Sequence, residues 1–384
     1  MPWKAASKME LIEEFVKLSR QSGISMAELC RRFGVSRKTG YKWLGRAAAD
    51  GAGLAERSRR PLNSPGQTTA EVEQQVVALR GLHPAWGGRK LRQVRLREGI
   101  QSPAASTITA ILRRHGLLSP QRTRQAWQRF EHAAPNDLWQ MDFKGHFGLS
   151  EGGSCHPLTV LDDHSRYSLV LAACTNQLGE TVQTLLSSAF RRYGLPRTIL
   201  ADNGSPWGDG PQSPWTWLSV WLIKQGIRVA HGRPYHPQTQ GKEERFHRTL
   251  KAEVLQGREF ANVADCQRRF DPWRQVYNYE RPHEAIQMQV PGSRYRPSDR
   301  SFVEHAAAWE YGPDDQVRKV QHGGWISFRG REWRISKAFH GEQIGLRPTS
   351  TDGVWEVWYR VQCLGELNQH ACENDYRMTR RGVE

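Results

Sequence analysis

Two motifs within one span decide how this chain folds: TILADNG at Thr198–Gly204 and RPYHPQTQGKEERFHRTL at Arg233–Leu250. The first is an apolar run that ends in a charge, as a buried strand does where it delivers a carboxylate, Asp202, to a cleft. The second opens on the turn formers Pro234, Pro237 and Gly241, then reads as a helix with Phe246, Leu250 and Val254 on one face. Glu243 and Glu244 stand in its first turn. Projection of the helix puts Glu243 near the apolar face and Glu244 to one side. A third carboxylate, Asp142, lies in the strand-like run LWQMDF at Leu138–Phe143. Taken singly, an Asp before Asn-Gly is a turn residue, and an acid in a first helical turn answers the helix dipole. Together, three carboxylates from separate elements supply what a hard divalent cation needs.

Outward from these motifs the pattern is mixed α/β. Short β-rich runs at Leu138–Phe147, His156–Asp163 and Tyr167–Cys174 form a meander. They precede a helix at Gln177–Tyr193, a strand at Arg197–Ala201, a helix at Pro214–Gln225, a strand at Ile227–His231 and the acidic helix from Gln240. That element order is the one expected of a ribonuclease-H-like core. Asp162 and Asp163 read as turn residues closing a hairpin before His164, and Trp215, Trp217 and Trp221 as burying a helix against the sheet. Tyr235, His236 and Gln238 form a loop that either packs against DNA or serves turn chemistry.

Charge sorts the 384 residues into two parts. Residues 1–130 hold 24 Lys and Arg against 9 Asp and Glu, which is +15 of the formal +16. A basic front third before a nearly neutral body is the footprint of a polyanion-binding module. In it, SMAELCRRFGVSRKTGYKWL at Ser25–Leu44 reads as helix, glycine turn and basic helix, the organisation of a helix-turn-helix reader. Ser25 with Glu28 suggests a capping box, Gly34 a stop, and Ser36 the cap of the last helix. Ser36, Arg37, Lys38, Thr39 and Lys42 then stand where side chains reach bases or phosphates, whereas Trp43 reads as core. Residues 50–66 suit a linker. Thr68 with Glu71 suggests another cap, and helical segments to Pro84, at Gly88–Glu98 and at Ser106–His115 make a second helix-turn-helix with Arg89 and Lys90 on its polar side. Arg122, Arg124 and Arg129 follow in a basic connector able to track a DNA backbone. Lys144, Lys242 and Arg245 flank the carboxylates in sequence and suit neighbouring phosphates.

Behind a Pro-rich exit at Pro282–Pro297, the run Val317–Cys363 alternates apolar and polar residues across about five strands, which predicts a small β-barrel. The six cysteines show no paired spacing, so neither a zinc site nor a disulfide framework is expected. No apolar run approaches a membrane span, and a soluble, cytoplasmic, nucleoid-associated protein is expected.

QMDFKG, ADNGSPW and HGRPYHPQTQGKEERFHRTL, preceded by paired helix-turn-helix patterns, resemble the bacterial insertion-sequence DDE transposases of the retroviral-integrase superfamily. The resemblance covers about 8–297. It implies a catalytic, metal-holding triad at Asp142, Asp202 and Glu244, two Mg²⁺ ions with Mn²⁺ able to substitute, and cleavage and joining of DNA ends. Asp142 would bridge both ions. The 41 residues between Asp202 and Glu244 exceed the usual spacing, the excess being the Trp-rich segment Pro206–Trp221. The implied organisation is multidomain: all-α helix-turn-helix domains at 1–50 and 67–118, a basic linker at 119–136, a ribonuclease-H-like integrase core at 137–297, and a small β-barrel at 313–375. Implied partners are double-stranded DNA, both the terminal inverted repeats and the target, and further copies of the chain in a homo-oligomer. A DNA-binding regulator derived from a transposase and a nuclease without joining activity remain the alternatives.

Overall fold

Hydroxyl caps start the helices at the front of the chain. In the computed structural model, which describes residues 7–21, 23–48, 54, 66–118, 131–208, 214–232, 241–370 and 378, the chain divides into two compact units, 1–67 and 68–384. In the first unit Ser7 and Glu10 make a full capping box at the start of α1 (Lys8–Ser19). Ser25 caps α2 (Met26–Arg32) through the Glu28 amide. Gly34 takes φ +62° at the turn, and the Ser36 hydroxyl accepts from the Thr39 amide at the head of α3 (Arg37–Ala48). Phe15, Leu29 and Cys30 are buried between the three helices. Trp43 is buried as read.

The second unit begins with three more helices, α4 (Ala70–Leu82), α5 (Gly88–Arg97) and α6 (Ala105–Arg114). The cap of α4 is Thr69, which accepts from the Val72 amide, not the predicted Thr68. Val76, Trp86, Leu91, Ile108, Ile111 and Leu112 make its core. Arg80 donates to the carbonyls of Trp86 and Leu117, tying the first helix to the last.

The mixed sheet follows the predicted order. β1 (Leu138–Phe143), a two-residue β2 (Phe147–Gly148), β3 (Ser154–Asp162) and β4 (Ser168–Cys174) run antiparallel. After α7 (Gly179–Tyr193), β5 (Thr198–Ala201) adds parallel to β1. After α8 (Trp217–Lys224), β6 (Arg228–His231) adds parallel to β5. Because β1 and β5 are parallel neighbours, their C-terminal ends lie side by side, and Asp142 and Asp202 stand there. One face of the sheet is covered by α7 and α8 through Val182, Leu186, Phe190, Leu218, Leu222 and Ile223. The other is covered by α9 (Gly241–Leu250), extended by a wide π-turn at Lys251–Leu255, and by α10 (Val263–Gln275). Phe246, Leu250, Val254, Phe270 and Trp273 pack there against Cys155, Leu161 and Leu171. The period-two alternation of β3 and β4 supplies apolar groups to both faces.

The Trp reading holds in part. Trp215 is buried, and Trp221 stacks on Phe190 at 5.8 Å. Trp217 is 44% exposed and lies over Gly179, where a Cβ would meet its ring at 2.7 Å. It starts α8 rather than lying inside it, so it falls off the buried stripe.

The C-terminal part is a correction of the predicted barrel. β7 (Gln316–Lys319), β10 (Gln343–Pro348), β11 (Val354–Tyr359) and β12 (Gln362–Asn368) form an open sheet in the order β12-β11-β10-β7. β8 (Trp325–Phe328) and β9 (Arg331–Arg334) form a separate two-stranded sheet. The alternation is as read, but among the described residues no ladder joins the two sheets into a closed barrel. Instead their inner apolar residues, including Ile326, Trp333, Ile344, Leu346 and Val357, join the core beside α8. Trp215 meets Phe339 at 5.9 Å, and the Gln362 side chain accepts from the amide of Val229 on β6.

Candidate active site

Asp142 stands near the end of β1 with its side chain a quarter exposed. Its carboxyl is pushed up to about 7, first by burial and then by the charges of Asp202 and Glu244. Among the described residues the one basic side chain within 4 Å of its carboxylate is His247, Nδ1 to Oδ2 at 3.9 Å. That histidine is held down to about 4 by burial and by Lys144, so at neutral pH it brings no charge. Asp142 thus stands among other acids, with no cationic partner among the described residues.

Asp202 follows the last residue of β5. Its Oδ1 accepts from the Gly204 amide at 3.0 Å, the local turn geometry expected of Asp-Asn-Gly. The Asn203 side chain donates to the Gly232 carbonyl at 2.8 Å, and the ring of His231 meets the Asp202 carbonyl oxygen at 2.9 Å. These bonds tie the turn to the end of β6. Burial raises the Asp202 carboxyl, partly offset by the Gly204 amide and His231.

The two acids of α9 separate as the projection predicts. Glu243 is 1% exposed, among Phe246 and Leu250, and burial with the charge of Asp142 lifts it well above the ordinary carboxyl range. Glu244 is exposed and is the α9 acid whose charge raises Asp142. The Thr159 hydroxyl lies 2.9 Å from Glu243 Oε2, 2.8 Å from His247 Nε2 and 3.0 Å from the carbonyl oxygen of Asp142. Sequence reading did not reach Thr159 or His247; the one signal was the i,i+4 spacing of Glu243 and His247.

Asp162 and Asp163 are more than turn residues. Both are fully buried. Asp162 accepts from the amides of Asn136 (2.7 Å) and Ser165 (2.8 Å) and from the Ser165 hydroxyl. Asp163 accepts from the Gln140 side chain (2.7 Å), the His132 amide (2.9 Å) and the Lys242 ammonium. Lys242, expected at a phosphate, is therefore engaged with Asp163 at the head of α9.

The other predicted contacts distribute as follows. Arg37, Lys38 and Lys42 are exposed on α3, while Ser36 and Thr39 spend their side chains on one another at 2.9 Å. Arg89 and Lys90 sit on the first turn of α5, which faces the core: Arg89 reaches Glu284 at 3.8 Å, and Lys90 is pushed down to about 7 by burial and Arg281. Arg97 on the same helix donates to the carbonyls of Glu280 and Met288. Below them Arg281 pairs with Glu253 at 3.0 Å, each 9% exposed. Lys144 is partly buried and lowered by burial and by Lys251. Arg245 is exposed. Arg122, Arg124, Tyr235, His236 and Gln238 lie outside the described residues.

The donor set fits a hard cation: it is carboxylate oxygen, partly exposed, and without a cationic partner at Asp142. Among the described residues no group of three His, Cys, Asp or Glu is drawn tightly enough to form a metal cage.

Comparison with known proteins agrees with this layout. An integrase core domain model matches 132–237 and a second matches 225–291. The C-terminal domain of IS481 family transposases matches 315–372, a homeodomain-like domain 39–112 and a helix-turn-helix domain 13–61. The insertion element IS407 uncharacterized 31.7 kDa protein of Burkholderia multivorans is 26% identical over 249 residues, 62% of this chain and 87% of the relative. The insertion element IS476 uncharacterized 39.2 kDa protein of Xanthomonas euvesicatoria is 26% identical over 256 residues, 65% of this chain and 71% of the relative. The Gag-Pro-Pol polyprotein of Simian retrovirus SRV-1 is 36% identical over 124 residues, 31% of this chain and 6% of the polyprotein. Among solved structures, the HTLV-2 integrase catalytic core domain in complex with magnesium aligns at 14% identity and TM-score 0.33, covering 42% of this chain and 97% of that one. The chain carries an integrase core behind helix-turn-helix domains. More particularly, the segment that follows that core matches the C-terminal domain of IS481 family transposases, and the relatives similar over some three fifths of the chain are insertion-element proteins.

Proposed function

We propose that this chain is a DNA transposase that binds the terminal inverted repeats of its insertion sequence and catalyses metal-dependent strand cleavage and strand transfer. The observation that carries the reading is the placement of Asp142 and Asp202 at the adjacent C-terminal ends of two parallel central strands, with Asp142 raised by burial and then by Asp202 and Glu244 and without a cationic partner among the described residues. Asp142, Asp202 and Glu244 would hold Mg²⁺, two ions with Mn²⁺ able to substitute. Bound there, divalent ions activate the attacking oxygen and neutralise the leaving one. Glu244 is assigned as the third carboxylate because it is open to solvent and raises Asp142, whereas Glu243 is buried on Thr159.

The chain's own groups position the substrate. Lys144, beside Lys251, and Arg245 would neutralise phosphates flanking the reacting bond, which fixes its place without a protein nucleophile. Water attacks in cleavage, and a DNA 3′-hydroxyl attacks in joining. The exposed Arg37, Lys38 and Lys42 would bring α3 to the duplex, with 1–50 and 67–118 as reading modules, 119–136 as a basic connector and 137–297 as the catalytic body. Joining two ends calls for a homo-oligomer. No helix among the described residues is long and apolar enough to cross a membrane.

Incubating the protein with DNA carrying its element's end and Mg²⁺ tests the proposal. Nicked and joined products are expected. Binding without cleavage would favour a regulator, and cleavage without joined product a nuclease.

A further inference from the structure

Resting on the metal-site reading above, we propose that Thr159 and Glu243 are positioning residues, which fix the strand carrying Asp142 against the helix carrying Glu244 and so set the spacing at which those two carboxylates share a cation. Thr159 is the residue directly opposite Asp142 in the β1–β3 ladder, so the two side chains leave the sheet on the same face. Its single hydroxyl meets the Asp142 carbonyl oxygen at 3.0 Å, Glu243 Oε2 at 2.9 Å and His247 Nε2 at 2.8 Å. One hydroxyl thus touches the main chain of the catalytic strand and two side chains of the acidic helix.

Glu243 and His247 are one helical turn apart and bracket Glu244. Pinning both fixes the rotation of α9 and its height above β3, and with them the direction in which Glu244 points. A second fastener works from the other side: Lys242 on α9 pairs with Asp163, which also accepts from Gln140 at 2.7 Å. Gln140 is two residues before Asp142 on β1. Both polar junctions therefore join the same strand to the same helix.

The chemistry of Glu243 argues against simple packing. It is 1% exposed on the buried face with Phe246 and Leu250, and its Oε1 has no hydrogen-bond partner among the described residues. A leucine would fill such a place at lower cost, so an acid there needs a reason other than stability. Groups that orient metal ligands are a sufficient one, since their loss costs about 10- to 100-fold in metal affinity.

The test uses the full chain, with Mn²⁺ binding followed by calorimetry and single-turnover cleavage and end-DNA affinity followed alongside. Thr159→Val, which keeps the shape and removes the hydroxyl, should weaken Mn²⁺ binding about tenfold or more and slow cleavage to match, with DNA affinity unchanged. Thr159→Ser should return both to within about threefold. Glu243→Leu should behave as Thr159→Val and Glu243→Gln nearly as wild type, which covers the case where one variant fails to fold. Wild-type Mn²⁺ affinity in folded Thr159→Val or Glu243→Leu overturns the inference. So does loss of Mn²⁺ binding in Glu243→Gln with its retention in Glu244→Gln, which would make Glu243 itself a ligand. Absence of Mn²⁺ binding in the wild type would instead overturn the metal-site reading.

Discussion

Asp162 and Asp163 are more deeply buried than Asp142 and Asp202, yet it is the latter pair that reads as a site. The hairpin acids are answered: amides of Asn136, Ser165 and His132, the Ser165 hydroxyl, the Gln140 amide and the Lys242 ammonium all point at them. The acids at the strand ends have one main-chain amide each, Phe143 for Asp142 and Gly204 for Asp202, with His231 near Asp202, and no side-chain donor or cation bonded to either carboxylate among the described residues. Burial alone does not mark function. A buried carboxylate with its bonds complete holds a fold together, and one left incomplete awaits something the chain does not supply.

The largest expected effect breaks or makes this contrast. Asp142→Asn should lower metal-dependent cleavage by about 10³-fold, while the metal-free protein melts no lower than wild type, because a repelled charge is removed. Cleavage by this variant at the wild-type rate would abolish the distinction. On the other side, Asp163→Asn should cost about 3 kcal/mol in urea unfolding, since it leaves Lys242 without its counter-charge in a buried place. A cost near zero would reduce Asp163 to the turn residue that its sequence suggests.

That misreading has a plain cause. The partners of Asp163 are Gln140, His132 and Lys242, two some 20 to 30 residues before it and one about eighty residues after it, so no local pattern announces them. The strand and helix order of the body was legible because it rests on local periodicity, and the Glu243 and Glu244 faces were legible for the same reason. Closure of the C-terminal strands was not, because it depends on which edges pair, and alternation says nothing of that. Arg89 and Lys90 read alike in sequence because both are charges, whereas in the fold Arg89 keeps a side chain 74% exposed and Lys90 is half buried near Arg281.

Lys90 offers a pH-dependent version of the same comparison, a buried charge whose surroundings oppose it. Its folded value is pushed down to about 7 from 10.5. Between those values the unfolded chain holds a proton that the folded chain has released, so stability should rise with pH across that window. Lys90→Met should flatten the slope, measured as melting temperature from pH 7 to 10. An unchanged slope would return Lys90 to solvent. The smallest effect is expected in the open: the Arg191–Glu304 pair is more than half exposed at each partner, so Glu304→Gln should change stability by less than about 1 kcal/mol.

The packing of α5 on the core has a mechanical consequence. Arg97 donates to two main-chain carbonyls at 280 and 288, and the half-buried Lys90 lies near Arg281, so the second helical module and the carboxylate-bearing sheet belong to one compact unit. If that module reads DNA and that sheet cuts it, the pair would behave as a caliper. Under the proposed function, the distance along the duplex from the bases read by that module to the bond that is broken would be a constant of the fold, not a matter of chance in how a tether happens to swing.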